Sequence, residues 1–201
     1  MNFLAHLYLS GKDPAILSGN FMGDFVKGVI GDEFPLMLKN GMLLHRRRDS
    51  FVHGHAMSRR SRLRLDPRYG LYRGVMLDLF YDHFLVVDWG KFSGEDLASF
   101  LSRTREMVEE FRPWMPRRLV DLIPLVYEQL FPSYATVEGI GDALRRMSGR
   151  IRRDNPLKGS EVELIRHYDD LRRDFQEFLP ILKGYADREI SAFDALQGRA
   201  D

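Results

Sequence analysis

Apolar side chains recur along this chain at intervals of three and four, and the two-residue alternation of a half-buried strand is rare. No pair of alternating runs flanks a hairpin-type turn. Asp13-Pro14 reads as an N-cap followed by proline at the first helical position, opening a helix towards Lys27. Residues 28–34 read as a loop, and Pro35 opens a second helix towards Phe51 or His53. A basic stretch follows, up to Asp66-Pro67. Residues 69–87 are apolar on most faces, which predicts a buried central helix. Ser93 with Asp96 resembles a capping box for a helix towards Phe111, and residues 116–130 and 136–153 predict two more. Ser160 with Glu163 predicts the start of a last long helix, to about Tyr185, with residues 191–201 as a frayed tail. The expected fold is all-α, a helical bundle forming one domain over residues 1–201.

Length and composition agree with this picture. A chain of 201 residues corresponds to one domain and buries enough surface to need no disulfide. With 44% hydrophobic and 29% charged residues, it is globular rather than disordered or fibrous. No apolar run is long enough to span a membrane, and MNFLAHLYLSG has neither the basic flank nor the cleavage site of a secretory signal. Cysteine is absent, which excludes thiolate metal sites and cysteine nucleophiles, and the expected location is the cytoplasm.

The formal net charge of +1 conceals an asymmetry: of 30 Lys and Arg residues only six are Lys, leaving 24 Arg. They cluster at residues 46–48, 59–64, 117–118, 145–153 and 172–173. Each cluster reads either as a solvated helix face or as a docking surface for an acidic or phosphorylated partner. No nucleic-acid-binding motif accompanies them.

Candidate chemistry sits in the first half. Asn20 and Asp24, His45 and Asp49, and Asp78 and Asp82 are each four apart within apolar segments, and His83 follows Asp82. Residues four apart share a helix face, so three consecutive helices each offer a pair of N or O ligands. His6 lies in a fourth apolar segment. Burying such carboxylates requires a compensating positive charge, either arginine or a divalent metal. Imidazole with carboxylate suits Mn, Fe, Zn or Mg, and facing helices of a bundle can hold such a site. The alternative is a structural network in which Asp24 or Asp78 pairs with an arginine such as Arg47 or Arg73 and Asn20 hydrogen-bonds in the core. His53 and His55 rank below the inner set as ligands, and His167 reads as surface. There is no GxSxG elbow, Walker A loop, dinucleotide fingerprint or HExxH.

Four blocks, MNFLAHLYLS, LSGNFMGDFVKG, LLHRRRDSF and LDLFYDHFLVVDW, resemble the acyl carrier protein phosphodiesterases from Met1 to about Trp89, and more weakly to the region of Tyr168. That resemblance implies a fold similar to the HD-type metal-dependent phosphohydrolases, rearranged so that Asp82-His83 stands in DH order. It implies hydrolysis of the phosphodiester joining 4′-phosphopantetheine to a serine of holo acyl carrier protein, with Mn²⁺ as the metal. It also implies His6, Asp24, His45, Asp49, Asp78, Asp82 and His83 as the ligand set. Asp24, His45, Asp49 and Asp82 are expected to be catalytic, with Asp24 foremost. Asn20, Arg46 and Arg47 are expected to face the phosphoryl group, and Arg59 and Arg60 the acidic carrier. One departure stands out. After the HR-x-x-D block, many members carry Thr-Asp two residues before a His, and here His53 replaces that acid. Two rival readings are an HD-type phosphohydrolase acting on a guanosine polyphosphate and a non-catalytic helical module that binds acidic partners.

Overall fold

The computed structural model describes residues 3–197. In chain order the helices are α1 (Phe3–Tyr8), α2 (Pro14–Met22), α3 (Leu36–Gly54), α4 (Ala56–Arg64) and α5 (Tyr72–Val87). They continue as α6 (Trp89–Phe92), α7 (Leu97–Glu110), α8 (Arg117–Val120), α9 (Ile123–Leu125) and α10 (Phe131–Ser133). The last three are α11 (Val137–Arg150), α12 (Glu161–Arg166) and α13 (Tyr168–Gln197). Among the described residues there is no strand, so the fold is all-α as the apolar spacing predicts. No described helix is long and apolar enough to cross a membrane.

The helix starts follow local chemistry. Asp13 caps α2 by accepting from the Ile16 amide at 2.8 Å, with Pro14 at the first helical position. Asp96 alone caps α7, at 2.9 Å from the Ser99 amide, while Ser93 turns to Glu95. Four boundaries differ from expectation. α2 stops at Met22, and Gly23–Phe25 forms a tight 3₁₀ turn that lifts Asp24 off the helix. The stretch expected as one helix over residues 116–130 breaks into α8, α9 and a single π turn at Val126–Leu130. Proline at residue 124 starts a new piece there, because it has no amide to continue the ladder. Ser160 makes no side-chain cap. Glu163 is buried and accepts from the Asp66 amide at 2.8 Å; α12 ends at Arg166, and α13 starts afresh at Tyr168. α13 then continues through residues 191–197, with Phe193 buried beneath the Arg47 guanidinium; residues 198–201 lie outside the described residues.

The closest packing joins α2 to α3. A Cβ placed on Gly19 would lie 2.2 Å from the Leu38 carbonyl oxygen, and one on Gly41 would lie 2.2 Å from that of Ile16. Only glycine at both positions lets the backbones approach this far. α5 runs through the centre, burying Met76, Leu77, Leu79, Phe80, Tyr81, Phe84 and Leu85. α13 closes the bundle over α3, α4 and α5, held by arginine pairs. Arg64 grips Asp174 through Nε at 2.8 Å, Arg60 reaches Asp174 and Glu177, each at 2.7 Å, and Arg47 reaches Glu189 at 2.6 Å. At the end of α5 the buried Asp88 carboxylate accepts from Arg172 at 2.6 and 2.9 Å and from Gln176 at 2.7 Å.

Two outcomes test this packing. Gly41→Ala gains about 1 kcal/mol of helix propensity, but its methyl meets backbone rather than a yielding side chain. Overpacking of about 1–3 kcal/mol outweighs that gain, so the urea midpoint falls; an unchanged midpoint contradicts the close crossing. The Arg172 hydrogen bonds hold the Asp88 pKa well below the usual carboxylate range, against the burial that opposes ionisation. The folded value is the lower one, so the stabilisation is complete above the unfolded pKa of about 4 and is lost as pH falls through the folded value. Wild type is therefore more stable than Asp88→Asn at pH 7, and the gap narrows on acidification below pH of about 4.

Candidate active site

Glycine also brings the site together. A Cβ on Gly23 would fall 2.3 Å from His45 Cγ, so the turn after α2 can lie directly against the α3 imidazole. From the other side α1 delivers His6, and the two rings stack with centroids 4.2 Å apart and planes 9° from parallel. Both are buried.

One residue orients both rings. Asn20 Nδ2 donates to the His6 carbonyl at 3.1 Å and to Ser10 Oγ at 2.8 Å, which turns its Oδ1 to His6 Nδ1 at 2.8 Å. The Asn20 backbone oxygen meets His45 Nδ1 at 2.9 Å. Each Nδ1 therefore carries a proton and donates it. Each Nε2 is left to face inward, the arrangement by which an outer partner fixes a metal-binding histidine. His45 Nε2 lies 3.2 Å from Asp49 and 3.6 Å from Asp24. His6, His45 and Asp49 each offer a ligand atom, and these lie within 4.8 Å of one another.

The surrounding charges show what this position requires. Burial and the Arg48 guanidinium push the His6 pKa well down, so His6 is neutral. Burial also opposes a charge on His45, but the Asp24 and Asp49 carboxylates that face its Nε2 raise its pKa. Burial likewise opposes ionisation of Asp49, yet His45 and Arg48 hold its pKa at about 2. Arg48 is fully buried. One terminal nitrogen donates to Asp49 at 2.8 Å and closely to His6 Nε2, while its Nε and other terminal nitrogen have no hydrogen-bond partner among the described residues. A buried guanidinium with orphaned donors is costly. It holds positive charge where an imidazole nitrogen and a carboxylate converge, and so stands in for a cation. Two oriented imidazoles and a carboxylate are a fitting donor set for a divalent transition metal.

The centre opens onto a cleft of about 450 Å³ whose walls include Gly23, Asp24, Lys27, His45, Arg46 and Asp49. Asp24 and Asp49 stand at the boundary between the buried imidazoles and solvent. The His45 imidazole 3.6 Å away keeps Asp24 below its ordinary pKa, hence ionised.

Comparison with known proteins decides the family. The family model described as acyl carrier protein phosphodiesterase matches residues 1–182. The chain belongs to the acyl carrier protein phosphodiesterase family. Proteins of that name from Escherichia coli strains K12 and SMS-3-5 are each 32% identical to it over 191 residues, covering 94% of this chain and 99% of the relative. No solved structure matches it.

Within this family member, the expected site residues divide into three groups. His6, His45, Asp49 and Asp24 come together, and Arg46 joins them at the cleft wall, donating to the Val26 carbonyl at 3.0 Å. Asp82 and Asp78 lie behind, close enough for their charges to act on Arg48. Both Asp82 oxygens accept amides of α1, Leu4 at 3.0 Å and Ala5 at 3.3 Å, so Asp82 fixes the helix that carries His6 rather than joining the donor atoms. The remaining expected residues lie apart from these donor atoms. His83 points elsewhere, with Nδ1 2.7 Å from the Tyr134 carbonyl and Nε2 3.0 Å from the Tyr168 hydroxyl. Asn20 is wholly buried and its groups are spent on His6, His45 and Ser10, so it orients the rings instead of meeting substrate. Arg47 and Arg60 are committed to α13. His53 lies exposed beyond the centre, and His55 caps α4 and stacks on Phe178.

Arg48 is the residue that sequence reasoning missed, because it was grouped with its neighbours as one basic run. Its helical spacing carried the signal: residues 41, 44, 45, 48 and 52 recur at three and four and are all buried.

Replacing Asn20 tests the orienting role. Asn20→Leu leaves His6 Nδ1 and Ser10 without their partner and costs on the order of 1–3 kcal/mol, read as a lower urea midpoint. In ¹⁵N NMR of the imidazoles, His6 loses its single Nδ1–H form, whereas His45 keeps its own, since that bond goes to backbone. An unchanged His6 pattern would remove Asn20 from this role.

Proposed function

We propose that this chain hydrolyses holo acyl carrier protein at the phosphodiester between 4′-phosphopantetheine and the carrier's serine, in the cytoplasm, using a divalent cation held by His6, His45 and Asp49. One observation carries this reading: two stacked imidazoles, both held at Nδ1 by Asn20, place ligand atoms within 4.8 Å of one carboxylate at the foot of an open cleft in a member of this family. Mn²⁺ is the ion that the family resemblance implies, and the donor set suits it. When bound, such an ion supplies Lewis acidity towards phosphoryl oxygens and lowers the pKa of water.

The chain's own groups then have distinct tasks. Ionised Asp24, at the solvent edge, accepts a hydrogen bond from the attacking water and aligns it with phosphorus. Lys27 and Arg46 line the cleft and oppose the negative charge that builds on the phosphoryl oxygens. Asp82 keeps His6 in place through the start of α1. The water oxygen bonds to phosphorus as the bond from phosphorus to the serine oxygen breaks. One water proton ends on the serine hydroxyl, and the products are apo carrier protein and 4′-phosphopantetheine, the turnover of a cofactor used in fatty acid synthesis. This is the chemistry of HD-type phosphohydrolases, here with a protein substrate.

Mass spectrometry of the carrier tests the reading. Wild type with Mn²⁺ removes the phosphopantetheine mass, and a chelator abolishes the loss. Asp24→Ala is slowed about 10²–10⁴-fold, and Asp49→Ala also loses Mn²⁺ in calorimetric titration. Activity that persists in chelator rejects the metal. A folded, Mn²⁺-loaded protein that leaves the carrier intact but releases phosphate from a guanosine polyphosphate rejects the carrier as substrate.

A further inference from the structure

A second basic surface lies beside the cleft. The end of α3, α4 and the start of α5 enclose a groove of about 280 Å³ whose walls include His53, Arg59, Arg62, Leu63, Leu71 and Arg73. Among the described residues no carboxylate lines it. Among the described residues the Arg59 side chain has no hydrogen-bond or ion-pair partner. Arg62 donates to Ser58 and the His53 carbonyl, and Arg73 to the Gly70 carbonyl. Their three charges therefore stand without a counter-ion among the described residues, unlike those of Arg47, Arg60 and Arg64, which meet acids of α13. Between them Leu71 is 91% exposed and Leu63 63% exposed. A single exposed leucine needs no explanation; two in one groove among three unneutralised guanidiniums match the apolar anchors and charged rim of a protein interface. The floor is low, since a Cβ on either Gly70 or Gly74 would find nothing within 4 Å.

Position ties the groove to the centre. On α3, His53 is one turn beyond Asp49, and on α5, Gly74 is one turn before Asp78. One turn advances about 5.4 Å, so the groove extends the face of the centre along both helices. The scissile phosphodiester sits on a serine at the carrier's own surface. A carrier bound to present that bond must therefore rest on the surface immediately beside the cleft.

We propose that this groove is the docking surface for the acidic face of the carrier protein, with Arg59, Arg62 and Arg73 meeting its carboxylates and Leu63 and Leu71 buried against its apolar side chains. This rests on the reading of the chain as a carrier-protein hydrolase. Electrostatic steering onto three unpaired arginines gives the encounter a strong salt dependence.

The test measures binding apart from turnover. Wild type, Arg59→Glu/Arg73→Glu and Leu71→Asp are titrated with holo acyl carrier protein by calorimetry in chelator, with circular dichroism to show that each is folded. Arg118→Glu, outside the groove, is the control. The expected result is at least a tenfold rise in Kd for both groove variants and none for the control, with a shallower salt dependence for the double variant. In turnover with Mn²⁺, KM rises as much while kcat and hydrolysis of bis(p-nitrophenyl) phosphate stay unchanged. Groove variants that bind the carrier as wild type does overturn the proposal, and so does a wild type that does not bind it. It is also overturned if the substitutions abolish binding to a DNA duplex or to anionic phosphatidylglycerol vesicles but not to the carrier. A wild type that binds the carrier through the groove but leaves its phosphopantetheine in place retains the docking surface and rejects the hydrolase reading.

Discussion

The contact on which the site depends is the crossing of α2 and α3, where Gly19 and Gly41 let two backbones approach more closely than any side chain would allow. That approach puts the Asn20 backbone oxygen within hydrogen-bond distance of His45, and Gly23 lets the following turn close over the same ring. Asp24 owes its place beside His45 to that turn. A methyl group at Gly19 or Gly41 would meet the backbone of the facing helix, and one at Gly23 would meet the His45 ring itself. Packing and site geometry are here one constraint, since interiors transmit small displacements rather than absorbing them.

A second constraint is charge. The interior holds Asp82, with Asp78 behind the centre, the edge holds Asp24 and Asp49, and Arg48 sits among them with two donors that have no partner among the described residues. Such a group is tolerated only where it neutralises something more expensive, and the nearby carboxylates fit that description. The same arrangement suits phosphoryl chemistry, in which negative charge must be met by positive charge already in position. Asp82 links the two needs. Its carboxylate meets the free amides at the start of α1, where a helix welcomes an anion, and so holds His6 in place.

Two sets of arginines contrast. Arg47, Arg60 and Arg64 face α13, are paired with its acids and serve the fold, while Arg172 on α13 itself pairs with Asp88 at the end of α5. Those of the groove beside the cleft meet no acid among the described residues. Composition cannot separate the two, because a guanidinium has the same charge and shape whether or not a carboxylate from a distant helix folds back onto it.

The sequence by itself determined the helical class, the cap at Asp13, the buried character of α5 and the candidacy of His6, Asp24, His45 and Asp49, which it did not separate from Asp78, Asp82 and His83. These follow from spacing and local chemistry, which act over a few residues. It also carried the family, through four ordered blocks. Only the tertiary structure decided that Asn20 is an orienting residue, that Asp82 anchors α1, that His83 faces Tyr134 and Tyr168, and that Arg48 is the buried cation. Spacing places a residue on a helix face but not against a particular neighbour. His83 adjoins Asp82 in sequence, yet consecutive residues on a helix point about 100° apart, so one reaches α1 and the other the far side of the bundle. The pairing of Arg60 and the exposure of Arg59 differ for the same reason: which one meets Asp174 depends on where α13, more than a hundred residues later, lies across α4.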